Sequence, residues 1–189
     1  MSSDQKDGGL RRHSLAEEAS IVTDEEQKAN IESANGLEQF DAAMRLLESV
    51  TAERPFRLRT STIQNLHREA LKGLSAYAGN WRPAGVEILG SEHQPVQAYQ
   101  VPSLIEDMCD YVNENWSERS AIHLSAYVMW RLNWIHPFSD GNGRTSRIFS
   151  YLVLSAKIGG RIVGTTTIPD LIVDNRKPYF DALEAADRA

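Results

Sequence analysis

Between His136 and Arg147 the sequence reads HPFSDGNGRTSR: a histidine, a carboxylate at Asp140, two glycines around Asn142, and two arginines three apart. Glycines at 141 and 143 permit left-handed or otherwise restricted backbone angles and remove side chains that would block a ligand. Successive main-chain N–H groups in such a turn, leading into a helix, form a nest for anions. Arg144 and Arg147 fall at i and i+3 of that helix and can project from one face. Two cations at the positive end of a helix dipole are unfavourable without an anion, which points to a polyphosphate. Asp140 beside the nest suits Mg²⁺, which takes one carboxylate together with phosphate oxygens. His136 is the neighbouring group able to accept a proton at neutral pH.

Other chemistries fit less well. There is no G-x-x-x-x-G-K-[ST], the third glycine of a dinucleotide fingerprint is missing, and no H-E-x-x-H pairs a histidine with a metal. A zinc site built on His136 and Asp140 would lack the further ligands that zinc requires.

The elements that must carry this stretch are helical. At 189 residues, 41% hydrophobic and 24% charged, the chain is one ordinary domain with room for a core. A net charge of −6 argues against a nucleic-acid surface, although a local arginine cluster can still hold an anion. The single cysteine, Cys109, excludes internal disulfides and fits a reducing, cytoplasmic setting. The N-terminus has no apolar core of a signal peptide, and no apolar run approaches the ~18 residues of a membrane helix.

The polar first dozen residues read as disordered. A capping box at Thr23 and Glu26 starts a long amphipathic helix to about Val50, with Ile31, Ala34, Leu37, Phe40, Met44 and Leu47 on its face. After Pro55, a second box at Ser61 and Gln64 opens a helix carrying Ile63, Leu66, Ala70, Leu71 and Leu74. Val86–Leu89 and Val96–Tyr99 flank a Gly/Pro turn and predict a β-hairpin. Ser103 and Glu106 cap a third helix with Leu104, Met108, Tyr111 and Val112 inward. Ala121–Ile135 is apolar on nearly every side, Trp130 and Trp134 included, and predicts a central helix ending at His136-Pro137. The helix after Gly143 runs to about Lys157 and stops at Gly159-Gly160. One or two closing helices follow, the last with Pro178 near its first turn. The fold class is all-α, a helical bundle with one hairpin.

HPFSDGNGRTSR matches every fixed position of H-x-F-x-[D/E]-G-N-G-R-x-x-R and so resembles the Fic-domain family. GNWR before the hairpin and TIPDLIVDNRKPYFDAL after the motif look like that family too, so the likeness runs from about Thr23 onward. It implies a Fic domain over 23–189, preceded at 1–22 by a flexible segment. It also implies a transferase that moves AMP from ATP to a Ser, Thr or Tyr hydroxyl of a target protein. In that reading His136 is the general base and Asp140 holds Mg²⁺. The amides of Gly141, Asn142 and Gly143, with the Asn142 side chain, cradle phosphates. Arg144 contacts the phosphate chain, Arg147 the γ-phosphate, and Phe138 anchors the loop.

The hairpin Val86–Tyr99 resembles the flap that pairs with an extended target segment by strand addition. Ser14–Glu18 resembles the inhibitory S/T-x-x-x-E, with Ala19 where the family has Gly or Asn, and would set Glu18 against Arg147. Glu17 is the candidate one register away. Asn175 and Tyr179 resemble positions near the nucleotide base. Transfer of another nucleotide-derived group, removal of AMP, and a nucleotide-binding module without turnover remain open, as does a homo-oligomer.

Overall fold

A computed structural model describes residues 13–15, 20–50 and 55–188. Glu17 and Glu18, and the first dozen residues expected to be disordered, lie outside the described residues. Those described are mostly helical, with seven α-helices and two three-residue strands. None of the described helices is long and apolar enough to cross a membrane.

Helix α1 spans Glu25–Glu48, and Asp24 caps it by accepting a hydrogen bond from the Gln27 amide at 2.7 Å. The cap therefore sits one residue beyond the expected Thr23, with the Asp24 carboxylate reaching the third amide from an extended backbone. Helix α2, Thr60–Leu71, buries the expected Ile63, Leu66, Ala70 and Leu71, and His67 as well. Its Ser61–Gln64 box does not form; Arg59 precedes the helix without any side-chain cap. Two buried polar residues of α1 bind the carbonyls of α2. Asn35 donates to Ala70 O at 3.3 Å and Lys72 O at 2.7 Å, and Gln39 donates to Leu66 O at 3.1 Å. These bonds set the register of the two helices, since a slip would strand buried amides.

The expected hairpin is not what forms. Glu87–Leu89 is a strand, β2, but its partner is β1, His13–Leu15, antiparallel with Ser14 opposite Ile88. The second stretch turns instead into a 3-10 helix at Ala98–Gln100 that leads straight into α3, Val101–Glu114. Pro102 in the first turn of α3 is pre-set for a helix and cannot donate to a strand ladder, which favours the earlier helical start. The Ser103–Glu106 box is accordingly displaced, with Ser103 Oγ donating to Gln100 O at 3.0 Å. The buried face of α3 is Val101, Ile105, Met108, Cys109 and Val112, so the expected Leu104 and Tyr111 sit at its half-buried edge.

Helices α4, Ala121–Ile135, and α5, Asn142–Ile158, form the centre. Ser125 Oγ lies 2.8 Å from Ser150 Oγ and 3.0 Å from Ser150 O, so small residues bring the two backbones close. Leu124, Val128, Leu132 and Ile135 of α4 join Phe149, Leu152 and Val153 of α5 in the core. Helix α4 is not buried all round: Ile122 is exposed, and its tryptophans are half-buried. Gly159, at φ 85°, ends α5 as expected. Helices α6, Ile168–Asp174, and α7, Arg176–Asp187, close the chain.

Candidate active site

Where α4 ends, Pro137 forbids another turn and His136 takes the left-handed conformation, φ 52° and ψ 60°. It is the one non-glycine residue with positive φ among those described. Its amide still donates to Leu132 O at 3.0 Å. Its carbonyl accepts from the buried Arg82 Nε at 2.7 Å. That guanidinium also serves Ala84 O at 2.8 Å, Val96 O and Ile135 O. A buried cation is tolerable when several acceptors surround it, and here it ties the β2 connection to the end of α4. His136 Nδ1 lies 3.3 Å from Asn133 O. Burial pushes the imidazole down to about 4, against a smaller upward pull from that carbonyl, so it is neutral at pH 7.

The following loop is held from within and from beneath. Asn142 Oδ1 accepts from the Phe138 amide at 3.0 Å, and its Nδ2 donates to Phe138 O at 2.8 Å. The Asn142 side chain therefore closes the turn instead of reaching toward phosphate, and its contribution to an anion nest is its main-chain amide. Phe138, fully buried, stacks on His67 with centroids 3.5 Å apart and lies 5.0 Å from Trp81. Gly141 precedes α5 at φ 74°, and a Cβ there would meet Leu71 Cδ2 at 2.5 Å. The positive φ favours glycine, and any Cβ would also have to displace the Leu71 side chain.

The charges gather at the start of α5. Asp140 Oδ1 accepts from the Gly141 amide at 2.6 Å, and Oδ2 pairs with Arg144 at 3.2 Å. Arg144 also pairs with Glu32 of α1 at 3.3 Å. Arg147 folds back over Gly143, where an added Cβ would stand 3.1 Å from its Nη1. Burial lowers the Arg147 pKa, Tyr179 raises it, and the like charge of Arg144 lowers it. Two guanidiniums that repel each other at a helix N-terminus are stabilised by an incoming anion.

These groups open on one cavity of about 940 Å³, which His136, Asp140, Gly141–Gly143, Arg144 and Arg147 line together. Trp130 and Trp134 of α4 and Tyr179 and Phe180 of α7 form its walls. The sequence brings together every motif residue singled out for chemistry. Asn175 stands apart, exposed and bonded to Leu171 O at 2.9 Å. Arg82, Glu32 and the tryptophan wall escaped the sequence reading. GNWR holds Arg82, but nothing local says that its partner is a carbonyl 54 residues away. Among the described residues no cluster of three His, Cys, Asp or Glu side chains could hold a metal by itself. A lone carboxylate at the nest suits Mg²⁺ arriving with phosphate oxygens.

A profile of the Fic/DOC family matches residues 57–154, more than half of the 189. Protein adenylyltransferase fic-1 of Caenorhabditis briggsae is 27% identical over 84% of this chain and 30% of its own length. Protein adenylyltransferase Fic of Aedes aegypti is 26% identical over the same shares. The chain thus spans under a third of these relatives. Among solved structures, a Fic-domain-containing signaling protein from Bacteroides thetaiotaomicron superposes with a TM-score of 0.69 at 21% identity, over 86% of this chain and 59% of its own. A segment of Fic-1 from Caenorhabditis elegans gives 0.61 at 26% identity, over 80% and 43%.

Proposed function

Because the chain belongs to the Fic/DOC family, we propose that it transfers AMP from ATP to a Ser, Thr or Tyr hydroxyl of a target protein. The observation that carries this reading is the convergence of His136, Asp140, the Gly141–Gly143 turn, Arg144 and Arg147 on one cavity. The target hydroxyl oxygen attacks the α-phosphorus, its proton passes to His136, the bond from the α-phosphorus to the bridging oxygen breaks, and pyrophosphate leaves. His136 is neutral, hence proton-accepting, across physiological pH. Polyphosphate charge beside it favours the imidazolium and raises its basicity in the loaded site. The main-chain amides of Asn142 and Gly143, joined by that of Gly141 once it leaves Asp140, and the two arginines hold the phosphates in line, so positioning and charge neutralisation provide most of the catalysis. Mg²⁺ held by Asp140 would add charge neutralisation on the phosphates. The target would dock along Val86–Tyr99 by strand addition to β2, exchanging with β1, which occupies that edge in the free chain.

Restraint by Glu18 is part of this proposal. Its support is the S-x-x-x-E spacing and the anchoring of the chain on either side of it. Ser14 pairs with Ile88 before it, and Ser20 bridges Ser75 after it; Ile88, Ser20 and Ser75 all line the cavity. In this proposal the Glu18 carboxylate competes with phosphate for Arg147.

The test is purified chain with Mg²⁺ and ATP labelled at the α-phosphate. Label on protein is expected to be strongest in Glu18→Gly, weaker in the parent, and absent in His136→Ala. Label from the γ-phosphate but not the α would replace this reading with phosphoryl transfer, and equal labelling of Glu18→Gly and parent would remove the restraint.

A further inference from the structure

Beneath the loop, on α2, lies a second histidine that the chemistry above does not use. His67 is 2% exposed and does not line the cavity. The Gly79 amide donates to its Nδ1 at 2.9 Å. A main-chain N–H can only donate, so Nδ1 carries the lone pair and the proton resides on Nε2. Nε2 lies 3.0 Å from Asp140 O, a carbonyl that can only accept. One tautomer alone satisfies both partners: Nε2–H donating to the main chain at Asp140.

The ring is also fixed in plane, parallel within 2° to Phe138. Leu71, one turn further along α2, fills the space where a Cβ on Gly141 would stand. His67 and Leu71 lie at i and i+4 on one face of the helix, directly under Asp140 and Gly141. The residue that would bear the metal and the first glycine of the nest are therefore located by α2, not only by the loop's own bonds.

We propose that His67 is a positioning residue for nucleotidyl transfer, its Nε2–H holding the Asp140 carbonyl so that the carboxylate and the nest meet the phosphates in register. This rests on the transfer reading above. Among the described residues no other side chain hydrogen-bonds the Asp140 carbonyl, and misplacing a reacting group by about 1 Å costs on the order of 10²-fold in rate.

The test compares His67→Phe with His67→Gln. Phenylalanine keeps the flat stack on Phe138 but has no donor; glutamine places an amide N–H near the Nε2 position but stacks poorly. If His67 only fills space, transfer follows stability, and the phenylalanine form is the better enzyme. If it positions the loop, the orders cross. His67→Phe is then the more heat-stable form yet loses on the order of 10²-fold in kcat, and His67→Gln, though less stable, stays within about tenfold of the parent. Two readouts stand apart from turnover. Nitrogen NMR of the parent should show His67 protonated at Nε2, and the Gly141 and Asn142 amide signals should move in His67→Phe but not in His67→Gln. An Nδ1-protonated ring, or unmoved amides together with undiminished kcat in His67→Phe, overturns the proposal. Absence of transfer in the parent would count against the adenylyl reading, while the NMR would still decide the positioning.

Discussion

His67 and His136 stand on opposite sides of one loop, and burial drives both imidazoles to about 4. In other respects they are opposites. His67 sits inside a regular helix with both ring nitrogens engaged by main-chain groups and no face on the cavity. His136 sits at a helix end in a left-handed conformation, with the cavity before it. Desolvation alone therefore does not mark a base. Access to the cavity separates the histidine proposed as the base from the one proposed to hold the backbone.

The sharpest way to break this distinction is His136→Gly. Removal of a general base is expected to cost roughly 10²–10⁴-fold in transfer. Glycine is at ease at φ 52°, where a side chain costs roughly 1–2 kcal/mol. Stability should then hold or rise slightly despite the lost imidazole, a separation of activity from folding that thermal melting and labelled-ATP assays read side by side. Retained transfer would remove His136 as the base, and collapse of the fold would make it a structural residue instead.

Which parts of this were legible in sequence follows from the range of the interactions. The motif residues fall within twelve consecutive positions, so spacing was enough to expect the nest, the carboxylate and the arginine pair at one site, and these do line one cavity. Helices α4 and α5 were legible for the same reason, bounded by Pro137 and Gly159. The hairpin was not. Val96–Tyr99 has strand-like composition, yet Pro102 and the continuing helix absorb it, and β2 takes its partner from 72 or more residues upstream. His67 carries no local signal, because its partners are Gly79 and Asp140, twelve and 73 residues away. The resemblance implied an Asn142 side chain turned to phosphate; that side chain closes on the Phe138 main chain instead. Local chemistry was readable, and long-range support was not.

A pH titration of stability sharpens the comparison in energetic terms. Above pH 6.5 both histidines are neutral in the folded and unfolded chain alike, so neither affects the balance. Between 6.5 and about 4 the unfolded chain binds protons that the native ring environments refuse, so stability falls as the pH falls. The loss approaches roughly 3 kcal/mol for each histidine by pH 4. Carboxylates titrate in the same range, so the informative quantity is the difference between parent and His67→Gln. The variant should lose stability less steeply from pH 6.5 to 4, by about one histidine's share. Parallel curves would mean that His67 titrates normally and is not held neutral.

The smallest effect concerns the outer edge of the site, where Glu32 and Asp140 share Arg144. The Glu32 and Arg144 side chains keep 39% and 25% of their exposure, so water screens the pair and its worth to folding is under about 1 kcal/mol. Its consequence for ligand binding is larger in kind, because a carboxylate on Arg144 competes with phosphate for the same guanidinium. Glu32→Gln keeps the side-chain shape and removes the charge. Melting should shift by no more than a few degrees, while Mg·ATP binding tightens by a few-fold, with the gain shrinking as salt rises from 50 to 300 mM. A loss of affinity would instead make Glu32 a support that aims Arg144 at the phosphates, as His67 supports Asp140 from below.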